Sequence, residues 1–524
     1  MTEQFGNGFE GLEERTLLAA NVTAVLSGGT LTITGATLGA FIDDNIDVSG
    51  TGTAGVVTVN ANLNSLAGNG TVVAAGIRNF VGVTNIVVNT GAGNDDLNVE
   101  NIKILGNLTA NLGAGNDFGE LEADEFNTFI GGNVSISGGG GVGDFVEVET
   151  DSYNLTIGGN VTVTVGSDGY GTIVTEGSGN ISIGGNVVMN IQNSTGSYGY
   201  GVITTNGDYG DIFIGGSVTM NGGAGRNELK VFTGFNDYGD ISIGDGVTMN
   251  GGAGNDYLAI YTNDYGSDVF IGGAVTMNGG AGNDYMEVSN YYSKQSNQSS
   301  VDVGGAVVMN GGDGNDFGGV VNWSDASYGS VNIRSFTFNG GNGKDTGGLA
   351  DYGFASNINV ATGVTLNGGN GNDTLGIATF ANKSDITVGG NVTIHGNFGN
   401  DIVGLRTSLV PSFQTINVAG QIDLEGDQGN DFIGSVGYGA ASSITVGSVL
   451  VQGWDGNDTI TAYGTDVLGN ATLWGGNGND AFVLERNSVG GNLYVNGWFH
   501  TDTLHQNLNT VFGSTSINFI EFFV

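Results

Sequence analysis

The chain has no cysteine, a single proline, only eleven lysines and arginines, and no long apolar run in its 524 residues. Each shortage excludes something. Without cysteine, neither disulfides nor thiolate-bound metal can hold the fold. Eleven basic residues against 52 acidic ones leave a formal charge of −41. Phosphate recognition needs clustered lysine and arginine, so this balance argues against nucleic acid as a partner. No stretch approaches the roughly 18 apolar residues of a membrane span. The opening residues, MTEQFGNGFEGLEERTLLAA, carry acids where a classical signal peptide is basic, and lack its apolar core.

What is present is glycine, 101 residues of it, and a regular alternation of apolar and polar side chains. Glycine without the every-third spacing and proline of collagen points to turns. The segment from Asp240 to Asp268 shows the unit: an I-x-I triplet, a small turn, V-x-M, the turn NGGAGND, L-x-I and a polar loop. Alternating triplets are strands buried on one face. Such a unit cannot bury its own apolar face and must stack on copies of itself. The expected fold is therefore all-β, a single-stranded parallel β-solenoid (β-helix) with three short strands per coil of about 28 residues and ~16–19 coils in all.

The aspartates of the Gly-rich turn measure the period. Asp256, Asp284, Asp316, Asp345, Asp373, Asp401, Asp431, Asp458, Asp480 and Asp502 are 28, 32, 29, 28, 28, 30, 27, 22 and 22 residues apart, and Asp95, Asp117 and Asp144 are 22 and 27 apart. Apolar columns follow. Ile181, Ile212, Ile241, Val269 and Val301 head the first strand, Met189, Met220, Met249, Met277 and Met309 end the second, and Leu258, Met286 and Leu375 start the third. The methionine column reads as core rather than as soft-metal ligands. An asparagine column, Asn190 to Asn367, reads as amides bonded along the axis. Tyr209, Tyr238 and Tyr265 recur in the polar loop, either as a stacked corner or as a glycan-contacting face.

In chain order, residues 1–20 read as a leader or disordered segment, 21–90 as an N-terminal β segment capping the stack, and 91–510 as the solenoid of GGxGND-containing coils. Residues 511–524, ending INFIEFFV, read as an apolar cap strand or a secretion signal.

The turns GGAGNDYLA (Gly251 to Ala259) and GGAGNDYME (Gly279 to Glu287) fit the nonapeptide G-G-x-G-x-D-x-apolar-x at every position. In this the chain resembles the RTX calcium-binding repeat proteins. The resemblance implies Ca²⁺ held between neighbouring coils by glycine carbonyls and by Asp95, Asp117, Asp144, Asp256, Asp284, Asp316, Asp345, Asp373, Asp401, Asp431, Asp458 and Asp480. Glycine's φ freedom, and the 6–8 oxygen ligands that Ca²⁺ takes, suit that chemistry. One departure is clear: the nonapeptide occurs once per coil, not in tandem, so one corner alone would hold ions. Aligning the coils by sequence puts Gly171, Gly201 and Asn227 where Asp belongs, with Arg226 bringing a cation to the ion position. The column is thus expected to be interrupted between Asp144 and Asp256.

LEERTLLA (Leu12 to Ala19) with NVTAVLSGGTLTITG resembles the start of large secreted repeat proteins of planctomycete type. Glu521-Phe522-Phe523-Val524 resembles the ending of some type I secretion substrates. The expectation is an extracellular or cell-surface bacterial protein, exported without a classical signal peptide. It would be a calcium-stabilised structural or adhesive solenoid whose partners are calcium ions, cell-surface glycans or other surface proteins, and its own ends or edges. The alternative is a polysaccharide-active β-helix enzyme. His395, His500 and His505 are not grouped with lysine or arginine, and the inserted loops are short, Asn290 to Ser300 being the longest. No enzyme is therefore expected. His500, Asp502 and His505 read as a polar terminal loop or a metal-binding trio.

Overall fold

The computed structural model describes residues 22–35, 43–61, 71–74, 76–207, 209–234, 238–263, 266–291, 299–324, 329–408, 413–438 and 442–523. The leader reading of residues 1–20, Tyr265, most of the Asn290–Ser300 loop, and Val524 lie outside them. Among the described residues no helix occurs, and every regular element is a strand. From Asn85 onward the strands pair in parallel, each pairing joining one coil to the next. The fold is the β-solenoid that the repeat dictates.

The third strands show the stacking most simply. Asp96, Phe118, Phe145, Tyr170, Tyr200, Glu228, Tyr257, Tyr285, Phe317, Thr346, Thr374, Ile402, Phe432, Thr459, Ala481 and Thr503 follow one another in register. Of these fifteen steps, twelve span 25–32 residues and three span 22. The first and second strands of the coils form the opposing sheet, and in some coils they fuse. Ser300–Asp313 is one strand whose register slips between Val303 and Ala306.

The core lies between the two sheets. Ile181 stacks on Ile212, Ile241, Val269 and Val301, and Met189 on Met220, Met249, Met277 and Met309, all buried. Each buried aliphatic side chain stabilises by roughly 1.5–3 kcal/mol. At the next coil the column changes. Phe336 and Phe338 replace Val and Met, and across the core Gly318 and Gly347 replace the apolar residues that open the third strand. A Cβ on Gly318 would lie 2.2 Å, and one on Gly347 2.0 Å, from the Phe338 ring. The ring fills the volume that both glycines leave, so the packing stays full although the residues change.

The two ends differ. At the start, antiparallel partners join the stack: Thr23–Ser27 with Thr30–Thr34, and Asn45–Gly50 with Val56–Ala61, which pairs in turn with Ile77–Val81. Thr30–Thr34 and Asn45–Gly50 themselves lie parallel on Asn85–Ala92 and Asp96–Glu100. This covers a parallel edge that would otherwise pair with another chain. At the other end Thr515–Asn518 and Phe522–Phe523 continue the parallel ladders of Leu493–Phe499 and Thr503–Asn507.

Phe338 and Gly347 should be coupled. Gly347→Leu alone should destabilise by several kcal/mol through overpacking, and Phe338→Leu by about 1–3 kcal/mol through a cavity. The double variant, which reproduces the Leu366/Leu375 pair of the next coil, should cost clearly less than the two losses added. Denaturant midpoints of the four proteins measure this; simple additivity would contradict the packing described.

Candidate functional site

The Gly-rich turn is built by contact between coils. Its second and fourth residues hold positive φ: +107° at Gly369 and +142° at Gly371. A Cβ on Gly371 would sit 1.4 Å from the Gly343 carbonyl oxygen one coil back, so no side chain fits. The first glycine is required for another reason. A Cβ on Gly251 would lie 2.4 Å from Asp256 Oδ2 and 2.7 Å from the Gly279 carbonyl oxygen. The carboxylate folds back over that Cα, beside a carbonyl of the following coil.

Asn and Asp of the G-N-D sequence then tie the coils in opposite directions. The Asp256 N–H donates to Asp284 Oδ1 at 2.8 Å, and Asp284 to Asp316, Asp316 to Asp345, and so on through Asp480 to Asp502. The preceding asparagine accepts from the coil after it: Asn283 N–H to Asn255 Oδ1 at 2.8 Å, and Asn315 N–H to Asn283 Oδ1 at 2.7 Å. Half of the turn's chemistry is thus backbone satisfaction, with no ion required.

The other half is left open. All twelve aspartates predicted as ligands are buried, and they stand one per coil in one file. Apart from Asp144, each keeps Oδ2 buried without a hydrogen-bond partner, and Asp502 joins them to make twelve such oxygens. Burial, with the neighbouring aspartates adding to it, pushes Asp117, Asp284, Asp345, Asp431 and Asp458 up to about 7. Asp401 and Asp480 rise to about 6 for the same reasons. A file of buried carboxylates must hold protons or share a cation. Carboxylate and carbonyl oxygens are the donor set of a hard divalent ion, so the residues fit Ca²⁺.

The file is interrupted, at positions that differ from those read by sequence alignment. Tyr170 and Tyr200 are in register with Phe145, so Gly169 and Gly199 occupy the Asp position. Gly171 and Gly201 instead face the core in the row of Val146 and Leu229. The alignment error was two residues, because alternation is unchanged by a shift of two. Asn227 does stand in the file. Its Nδ2 donates to the Gly225 and Gly251 carbonyls and to Asp256 Oδ1, at 2.7, 3.0 and 3.0 Å. An amide can thus be fully paired where a carboxylate is not. Asp144 closes the first block, its Oδ2 accepting the Gly166 N–H at 3.0 Å. Arg226 does not stand in the file; it is exposed, 3.4 Å from Glu228 and over the Tyr198 ring, though its charge still acts on Asp256 from outside. Its position in the turn is the outward-facing asparagine's.

Sequence reading missed the ends of the file. The Asp44 N–H donates to Asp95 Oδ1, and the Asp502 N–H to Glu521 Oε2, both at 2.8 Å. Asp44 lies outside any Gly-rich turn, and only the alternation of the following IDV aligns it. Of His500, Asp502 and His505, Asp502 belongs to the file and His500 lies near enough to act on its charge, while His505 Nε2 lies 3.0 Å from Glu485. Among the described residues, three acidic groupings lie outside the file. Two, Glu100–Glu122–Asp124 and Glu120–Glu122–Glu149, are on the first coils; the third is His395–Glu425–Asp427. Tyr209 and Tyr238 stack at 5.4 Å, and a longer ladder runs Tyr291, Trp323, Tyr352, Phe380 with centroids 4.3–6.1 Å apart. A groove of about 330 Å³ is lined by Gly348, Gly376 and Gly404 with Phe317, Phe432 and Val321, and Arg406 is the charged residue of its lining.

Without a cation the raised aspartates bind protons more tightly folded than unfolded. Stability in chelator should therefore fall as pH rises from about 4 through about 7. Melting temperatures by circular dichroism, in chelator and 0.5 M salt to screen surface charge, check this. A flat or rising profile would contradict it.

No family model, curated protein or solved structure matches this chain.

Proposed function

We propose that the chain is an extracellular or surface-displayed structural solenoid, a spacer or adhesive element that calcium locks in place. The observation that carries this reading is the file of twelve buried Oδ2 atoms without partners. The mechanism is linkage. Where Ca²⁺ is scarce, the file can be relieved only by protons, and the ionised form repels itself. At about 1 mM, the concentration range of extracellular calcium modules, the ion binds the folded chain alone. One site at a hundredfold excess over its Kd adds about 2.7 kcal/mol. Several in file would turn a loose chain into a rod.

The stacked aromatic faces support glycans or other surface proteins as partners, since flat rings offer apolar area at low entropic cost. Edge self-association belongs to the same proposal, since an exposed edge of a parallel ladder can pair with a second copy. The groove, with apolar walls and one arginine, supports contact rather than acid–base catalysis.

Asp345→Asn tests the reading, because Asn227 shows that an amide is satisfied at this position. In chelator at pH 8 the variant should melt at or above the parent temperature, having lost an unpaired buried charge. In 1 mM Ca²⁺ its gain in melting temperature should be smaller than the parent's. Equal calcium increments in both proteins would contradict calcium binding at the file.

A further inference from the structure

The asparagine column before the Gly-rich turn runs with side-chain amides bonded at 2.8–3.0 Å from Asn190 through Asn221, Asn250, Asn278, Asn310 and Asn339 to Asn367. It stops at His395. In register with Asn367 stands His395, and opposite it one coil on stands Glu425. His395 Nδ1 is 3.0 Å from Glu425 Oε2 and 3.9 Å from Asp427 Oδ2.

The backbone changes at the same place. The second residue of the Gly-rich turn is glycine in the coil before, Gly369 at φ +107°, but Asn397 at +73° and Asp427 at +69° in these two. Asp427 thus holds the left-handed conformation that glycine fills in the coil before, and its carboxylate is what faces His395. Glu425 is held from its far side, Oε1 accepting from Gln452 Nε2 at 2.8 Å. Asp423, on the same strand as Glu425, is close enough for His395 to act on its charge, and its Oδ1 is buried without a partner.

We propose that His395, Glu425 and Asp427 form a divalent transition-metal site on the outer face of the solenoid, separate from the buried aspartate file. One imidazole nitrogen with two carboxylate oxygens is a donor set for a Zn²⁺-like ion, whereas Ca²⁺ takes oxygens alone and six or more of them. Metal–ligand bonds of about 2.0–2.2 Å in a tetrahedron set neighbouring ligands about 3.3 Å apart; the two observed separations bracket that distance. All three side chains are partly exposed, at 29%, 18% and 29%, which leaves the fourth position open to water or to a ligand from a partner surface. A metal here would pin two coils together at the point where the amide ladder ends.

The test uses the full chain labelled with ¹⁵N-histidine, in 1 mM Ca²⁺, titrated with ZnCl₂. With three histidines in the sequence, each ring can be followed by imidazole NMR, and calorimetry gives the stoichiometry. His395→Asn and Asp427→Gly restore residues that the fold already carries at these positions, so both variants should fold. The proposal expects the His395 ring to shift first and to saturate at one equivalent. His395→Asn should abolish that site, and Asp427→Gly should weaken it by roughly tenfold or more. A His395 ring that several equivalents leave unmoved would overturn it. So would a shift shared equally with His505, which faces Glu485 at the same distance, or undiminished affinity in Asp427→Gly. Because calcium is held constant, failure here leaves the reading of the aspartate file unaffected, and the converse holds too.

Discussion

The constraint on which the structure depends is a carboxylate buried in each coil of the file, with one oxygen satisfied and the other not. Oδ1 holds the backbone N–H of the neighbouring coil, which a parallel stack of short strands needs at every corner. Oδ2 comes with it as an unavoidable companion. Sinking it over the first glycine of the turn removes it from water, and repeating it every coil adds like charge on either side. The gain in backbone order and the electrostatic cost therefore come from the same residue. Whatever neutralises the file, proton or cation, would therefore relieve it, while the apolar columns behind it would gain nothing.

Where the file stops, the chain uses neutral or self-satisfying groups. Asp144 takes an N–H on its second oxygen, glycine fills the next two positions, and Asn227 offers an amide with donors and acceptors all matched. At the far end Glu521 stands in for the next aspartate. The same economy of substitution appears in the core, where one phenylalanine ring replaces three smaller side chains. A solenoid tolerates such exchanges because each coil must match only its two neighbours.

Much of this was legible in the sequence, and the reason is periodicity. Strand alternation, the apolar columns and the spacing of the Gly-rich turns name the fold and twelve of the buried aspartates, because every coil repeats the evidence. What was not legible lies where repetition fails. Gly169 and Gly199 were misplaced by two residues, since alternation cannot distinguish registers that differ by two. Asp44 was missed because its turn lacks the glycines. Phe338 was missed because its compensation spans two glycines on another sheet. The His395 group was missed because its members come from two coils and meet only when these are stacked. Nor could spacing show that the G-N-D sequence serves the backbone as well as any ion.

Hydrogen exchange on the intact chain, with and without calcium, addresses the central claim most directly. If calcium acts through the buried file, protection should rise in the coils carrying Asp95 to Asp144 and Asp256 to Asp502. It should change little between Val161 and Lys230, where the file has no carboxylate. A gain between Val161 and Lys230 equal to that around Asp373 would contradict the account.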